Sequence, residues 1–311
     1  MFESQSYKLP EMVFNTGPTI KARPDNLHNV GYPGIAQCMT PADIDSLSSV
    51  VRPKSKELPQ GTDVKSFKIT ALKTSKDEIK QRNVMKDNII PRHPSSCIMV
   101  GTSGSGKSVL MTRMLMMPQF YGRVNGKHYF DEIYLFSPTA GAMDDLCRYL
   151  IDYTPLKKEN IFNEFDQKRL MDILDEQKKD IEEKGIGKSR KLLILLDDIQ
   201  ADGAFLRSKT ILKLFIMNRH YNTSVWLCGQ SFNKTPRACR LQANNIFYFP
   251  GSKSETDLII DEFSPPRIRK RDFEELVNEA LESQYSFLHI NMRCMWKERY
   301  RKNLDMLLRI I

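Results

Sequence analysis

The chain has 311 residues, 41% of them apolar and 27% charged, with 47 Lys+Arg against 38 Asp+Glu and a formal charge of +9. That length buries one large core and excludes a disulfide-stapled mini-domain, and the composition is that of an ordinary globular protein. The positive excess suits a polyanionic partner without demonstrating one.

In chain order, residues 1–60 come first and hold seven of the sixteen prolines. Proline breaks helix interiors and cannot donate to a strand ladder, so an irregular, extended N-terminal arm is expected. Residues 61–94 lead into the core, with a strand over 64–73 and a short polar helix over 75–87. From 95 to 292 the pattern is one of short apolar runs separated by helix-length segments. The runs are Ser96–Val100, Glu132–Phe136, Leu192–Leu196, Ser224–Cys228 and Asn245–Phe249, with a sixth at Tyr285–Ile290. Each is bounded by turn residues and uniformly apolar, the signature of strands buried on both faces. Between them, Leu170, Ile173, Leu174 and Ile181 share one helical face that Gly185 closes, and Ile211, Leu214 and Phe215 share another. Helices are also expected over 254–263 and 272–283. Residues 293–311 make a tail, basic and then apolar. Alternating strands and helices predict an α/β domain with a mainly parallel sheet flanked by helices.

Two localisation classes are not expected. The longest aliphatic run, Leu192–Leu196, falls far short of the roughly 20 residues that span a bilayer. The opening Met1-Phe2-Glu3-Ser4 does not begin a basic and then apolar leader. The cysteines at 38, 97, 147, 228, 239 and 294 form no C-x-x-C pair and no Cys/His zinc spacing, so reduced, buried thiols of a reducing compartment are expected.

The strongest local signal is Gly101-Thr102-Ser103-Gly104-Ser105-Gly106-Lys107-Ser108, which is G-x-x-x-x-G-K-S between a strand and a helix-forming stretch. Glycines let successive N–H groups turn inward on a phosphate, and the helix N-terminus adds its positive end. Lys107 is placed to reach the β- and γ-phosphates, and the Ser108 hydroxyl to bind Mg²⁺. A second signal, Lys191-Leu-Leu-Ile-Leu-Leu-Asp197-Asp198, is an apolar strand ending in two carboxylates. Asp197 is expected in the Mg²⁺ shell, and Asp198 is placed to polarise the attacking water. Asn233-Lys234-Thr235-Pro236 begins like a guanine-recognition N-K-x-D but has Pro in place of Asp, so no guanine specificity is read. Gln230, directly after the fourth run, is placed as a γ-phosphate sensor. That role requires its strand to lie between the phosphate-loop strand and the Asp-Asp strand. Arg219 ends the helix before that strand, where a guanidinium can reach a neighbouring subunit's γ-phosphate.

The phosphate loop, the LLDDI strand end and above all residues 218–250 (NRHYNTSVWLCGQSFNKTPRACRLQANNIFYFP) resemble the genome-packaging ATPases of nucleocytoplasmic large DNA viruses and virophages, the poxvirus-type branch of the FtsK/HerA superfamily. YLFSPTA at 134–140 and the later YSFLHIN segment are also similar, and the likeness spans about 92–292. The resemblance implies a RecA/FtsK-like P-loop NTPase that hydrolyses ATP with Mg²⁺ and translocates double-stranded DNA into a capsid. It implies a hexameric or pentameric ring, Arg219 acting in trans, Gln230 as sensor, and a place in host cytoplasm or viral factory, with a capsid vertex or membrane-associated virion proteins as docking partners. Cellular relatives carry Asp-Glu where this chain has Asp197-Asp198, one methylene shorter at the water-polarising position. Another FtsK/HerA-type motor or helicase, or a nucleotide-gated structural or docking protein of the virion, are the alternative readings.

A translocase tracks phosphates, so its DNA contacts are Lys and Arg rather than base-reading side chains. The candidates are Lys234, Arg237 and Arg240 after the sensor, and the cluster Arg267, Arg269, Lys270 and Arg271. Tail residues Arg293, Lys297, Arg299, Arg301 and Lys302, interleaved with Trp296 and Tyr300, are further candidates for DNA or for docking.

Overall fold

The structure, a computed structural model, describes residues 89–140, 145–266 and 268–309. The proline-rich arm, the strand expected at 64–73, the helix expected at 75–87, Arg267 and the last two isoleucines lie outside the described residues.

Among the described residues nine strands form one sheet. They are β1 (Ser96–Val100), β2 (Glu132–Phe136), β3 (Leu156–Phe162), β4 (Leu192–Asp197), β5 (Thr223–Gly229), β6 (Asn245–Tyr248), β7 (Leu288–Asn291), β8 (Tyr300–Lys302) and β9 (Met306–Leu307). Their order is β3-β2-β4-β5-β1-β6-β7-β8-β9. The first six in that row run parallel, and β7, β8 and β9 then alternate direction. The helices are α1 (Lys107–Met116), α2 (Asp145–Tyr153), α3 (Gln167–Lys184), α4 (Gly203–Arg207), α5 (Lys209–Met217), α6 (Arg237–Gln242), α7 (Lys253–Phe263) and α8 (Lys270–Leu281).

Strand side chains alternate between faces, and here both faces are covered. Cys97, Met99, Leu193, Leu195, Trp226, Cys228 and Phe247 pack against Met111, Met114 and Leu115 of α1 and Leu150 of α2. Ile98, Val100, Ile194, Leu196, Val225, Leu227 and Ile246 meet Leu170, Ile173 and Leu174 of α3, Ile211, Leu214 and Phe215 of α5, and apolar residues of α7 and α8. Burial on two sides is the reason the central strands read as unbroken apolar runs.

Three strands had no such signal. β3 (LKKENIF) is an edge strand with three exposed polar residues and an irregular register against β2, so it lacks an apolar run. β8 and β9, within the segment read as a tail, extend the sheet beyond β7. β7 begins at Leu288 rather than Tyr285, because Tyr285 sits at φ 63 and Ser286 closes a turn onto Ser283. Cys97, Cys228 and Cys239 are buried, and burial pushes the thiols of Cys97 and Cys239 up to about 12 and about 11. Among the described residues no helix is long and apolar enough to cross a membrane.

Candidate functional site

β5 pairs with β1 on one side and β4 on the other, all parallel. Three chain segments that leave these strands therefore emerge side by side at one edge: the phosphate loop after β1, the Asp-Asp turn after β4 and the Gln230 turn after β5. Backbone bonds tie them together. Gly101 N–H donates to Gly229 O at 3.4 Å, and Asp198 N–H donates to Cys228 O at 3.0 Å. The buried Cys228 thiol, directly before that turn, registers the convergence. Burial raises it most, the Asp197 and Asp198 carboxylates raise it further, and Lys107 opposes them.

The loop is shaped for an anion. Gly106 caps α1 at φ 102, a left-handed conformation that suits glycine, and no side chain caps the helix. α6 and α8 also lack a side-chain cap, whereas α3, α4, α5 and α7 start on Asp166, Asp202, Ser208 and Ser252, whose side chains accept from the first turn. The first N–H groups of α1 are thus left for a ligand, at the positive end of the helix dipole. Lys107, 7% exposed, curls over the loop and donates to Gly101 O at 2.9 Å and Thr102 O at 2.8 Å. The Ser105 hydroxyl is buried without a partner. An uncapped helix start, an inward ammonium and an orphaned hydroxyl fit a nucleotide's phosphates. Ser108, Asp197 and Asp198 are half-buried oxygen donors, the chemistry Mg²⁺ prefers. Among the described residues no group of three or more His, Cys, Asp or Glu forms a cage, so phosphate and water would complete the shell.

Asp198 has φ 51, a left-handed turn that aspartate tolerates and that swings the chain out of β4 into a short 3₁₀ turn at Ile199–Ala201. That turn carries Gln200, which the sequence did not single out. Gln200 is 6% exposed and grips the loop at 231–235 with both ends of its amide. Nε2 donates to Ser231 O at 2.8 Å and Thr235 Oγ1 at 2.7 Å, and Oε1 accepts from Ser231 N–H at 3.1 Å. It lies so close to Gly229 that a β-carbon there would fall 2.2 Å from the amide carbon. From the other side, Glu255 of α7 accepts from Ser231 Oγ at 2.6 Å, Phe232 N–H at 2.7 Å and Asn233 N–H at 3.1 Å. Gln230 itself is exposed at the rim.

Arg240, expected at DNA, is corrected by its surroundings. It is 7% exposed, pairs with Glu262 at 2.7 Å, and donates to the carbonyls of Phe232, Asn233 and Thr235. It holds the loop in shape and has no face to offer a phosphate. Lys234 and Arg237, on the same loop and the first turn of α6, are exposed. Arg269, Lys270 and Arg271 are exposed but ion-paired with Asp272, Asp261 and Glu275.

Arg219 is exposed in the turn between α5 and β5, at the opposite edge of the sheet from the phosphate loop. β5 is seven residues long, so the two edges stand roughly 20 Å apart at about 3.3 Å per residue. Arg219 is therefore not brought to its own chain's loop. It lies near Arg293, whose guanidinium is anchored on Arg92 O at 2.8 Å and Pro94 O at 2.6 Å. Partial burial of that guanidinium, and then the charges of Arg219 and Arg92, depress it.

A family model described as Poxvirus A32 protein matches residues 82–278. No curated protein matches the chain. Among solved structures, the DNA-packaging ATPase B204 from Sulfolobus turreted icosahedral virus is similar over 68% of this chain and 97% of that chain, with 14% identity and a TM-score of 0.49. The genome packaging NTPase B204 from Sulfolobus turreted icosahedral virus 2, in complex with ATP-gammaS, is similar over 68% and 98%, with 15% identity and a TM-score of 0.47. EssC (ATPases 2 and 3) from Geobacillus thermodenitrificans is similar over 64% of this chain and 38% of that chain, with 11% identity and a TM-score of 0.45.

Proposed function

The chain belongs to the Poxvirus A32 protein family, a family of packaging ATPases, and from that premise we propose that it hydrolyses ATP to drive double-stranded DNA into a viral capsid. The observation that carries this reading is the position of β5 between β1 and β4. It gathers a phosphate loop, two carboxylates and a polar amide at one edge, a set that simple nucleotide binding does not require.

In this reading the loop N–H groups, from Gly101 to Ser108, hold the β-phosphate. Lys107 transfers its donors from the Gly101 and Thr102 carbonyls to phosphate oxygens. Ser108 and Asp197 would hold Mg²⁺, which when bound neutralises charge building between the β- and γ-phosphates. Asp198 orients and polarises the attacking water, and Gln230, at the start of a loop clamped by Gln200 and Glu255, touches water and γ-phosphate together. Arg219 serves the loop of a neighbouring copy in a closed ring, since its own is across the sheet. Lys234 and Arg237 track the DNA backbone, with Arg269, Lys270 and Arg271 as weaker candidates because carboxylates already share their charge.

The deciding experiment is steady-state ATP turnover by the assembled protein with and without duplex DNA, beside Lys107→Ala. Stimulation by DNA that Lys107→Ala abolishes supports the motor. An assembled wild-type protein that hydrolyses ATP at the same rate without DNA overturns it.

A further inference from the structure

The loop before β7 places an aromatic ring at the phosphate loop in a conformation that needs a reason. Tyr285 is 61% exposed, and its backbone sits at φ 63. A bulky residue in the left-handed region is strained, and glycine or asparagine relieves that strain at no cost to the turn. The turn itself is firmly held. Ser286 N–H donates to Ser283 O at 3.0 Å, Ser286 Oγ donates to Ser283 O at 2.6 Å, and Ser283 N–H donates to Ser286 Oγ at 3.2 Å. On the far side Phe287 N–H donates to Asn303 Oδ1 at 3.2 Å, and the Phe287 ring packs on Phe249 at 4.9 Å between centroids.

The ring held out by this turn borders the start of α1. A methyl group placed on Gly106 would lie 3.7 Å from Tyr285 Cδ1, van der Waals range. Phosphates seated on the α1 N-terminus would therefore have an exposed aromatic side chain within a few ångströms. Val109, 47% exposed on the first turn of α1, adds a second exposed apolar side chain beside the loop. Tyr285 forms no part of the phosphate cradle and no part of the core.

We propose that Tyr285 is the platform on which the base of the bound nucleotide stacks. The ligand class is the nucleobase of a nucleoside triphosphate, and because every base has a π-face, stacking gives affinity without choosing between adenine and guanine. The hydrogen-bonded turn between Ser283 and Ser286 holds the ring at the loop before the nucleotide arrives. The inference rests on the phosphate loop being a nucleotide site, and its test separates the two.

The test is equilibrium binding of ATP and of inorganic tripolyphosphate to the full chain, for the wild type, Tyr285→Gly, Tyr285→Phe and Lys107→Ala. Tyr285→Gly relaxes the left-handed backbone, so its melting temperature should hold or rise, yet its affinity for ATP should fall about fivefold to a hundredfold, the range set by base–aromatic stacking. Its affinity for tripolyphosphate should stay within about twofold, since that ligand carries no base to stack. Tyr285→Phe should retain ATP affinity. Equal loss of ATP and tripolyphosphate in Tyr285→Gly would show that the ring only shapes the loop, and unchanged ATP affinity would remove it from the site; either result overturns the proposal. A wild type whose ATP binding is untouched by Lys107→Ala overturns the nucleotide-site reading, and the platform with it.

Discussion

At the carboxyl edge of the parallel strands, Lys107, Asp197, Asp198 and Gln230 arrive from three strands adjacent in space. The amino edge carries Arg92, Arg219 and Arg293 around a buried neutral network. There His93 bonds Ser224 Oγ at 2.7 Å and Asn222 Oδ1 at 2.9 Å, and Trp226 Nε1 donates to Ser95 Oγ at 3.1 Å. One edge offers a phosphate cradle, carboxylates and an amide; the other offers guanidinium groups. The length of β5 keeps Arg219 roughly 20 Å from its own chain's phosphate loop. The division has a physical logic. In the proposed ring, a guanidinium supplied by a neighbour would offset the negative charge of the transition state only when subunits are correctly apposed, so turnover would report assembly.

The sharpest way to break that comparison is to damage each edge separately and then mix the products. Arg219→Ala should lower turnover of the assembled protein about a thousandfold or more, and Asp198→Asn about a hundredfold or more. Mixed in equal amounts, the two variants should regain activity. An Arg219→Ala subunit still has an intact carboxyl edge, an Asp198→Asn subunit still has an intact amino edge, and random mixing in a ring apposes the two in about a quarter of interfaces. Turnover that stays at the level of the separate variants would place both lesions in one chain's site and end the two-edge model.

A smaller effect follows from the amino edge's buried network. Burial first, and then Lys191 and Arg293, hold His93 down at about 3 despite the hydrogen bond its Nε2–H donates to Asn222 Oδ1, which raises it. His289, stacked on Phe247 at 4.5 Å and bonded to Asn245, is also held down to about 3, by burial and then Arg301. Both bind protons more readily in the unfolded chain, whose histidines titrate near 6.5. Stability is therefore complete above about pH 6.5 and falls as pH drops toward 3. Between pH 7 and pH 5 each histidine should cost about 2 kcal/mol. Thermal melts across that range check this, and His93→Gln should remove the His93 share of the slope, about 2 kcal/mol, leaving the shares of His289 and of His128, which burial also depresses. A slope indifferent to His93→Gln would mean that the edge charges without resistance.

What was legible in the sequence follows from how local each signal is. The phosphate loop lies within eight consecutive residues, and the paired carboxylates and Gln230 each directly follow an apolar run, so strand and site announce one another. The place of β5 between β1 and β4 was legible only through chemistry, because a sensor amide must stand beside the metal-shell carboxylate. β3 was hidden by its polar edge, and β8 and β9 by brevity. Gln200, Glu255 and Arg240 were hidden for another reason. Each acts on residues 231–235 from a different element, and such pairings leave no periodicity. Arg240 shows the hazard directly, since a basic residue in a basic stretch looks like a DNA contact until Glu262 and three carbonyls are seen to occupy it.

That clamp bears on the carboxyl edge's expected DNA contacts and sets the smallest effect. Loop 231–235 is held from the Asp-Asp turn by Gln200 and from α7 by Glu255, so Lys234 and Arg237 project from a fixed base. Arg271, on the first turn of α8, shares its charge with Glu275 at 3.3 Å. Each cation that neutralises a DNA phosphate releases about 0.9 of a counterion, so removing Lys234 and Arg237 together should flatten the dependence of DNA affinity on salt by about two units in log–log slope. Arg271→Ala should change it by about half a unit or less, because its charge is partly neutralised before DNA arrives. The concentration of duplex DNA that half-saturates ATPase stimulation, measured from about 50 to about 200 mM salt, supplies the slope. A larger change in Arg271→Ala than in the double variant would move the DNA track off the sensor loop and onto the start of α8, and would uncouple DNA from the edge where the phosphate chemistry is gathered.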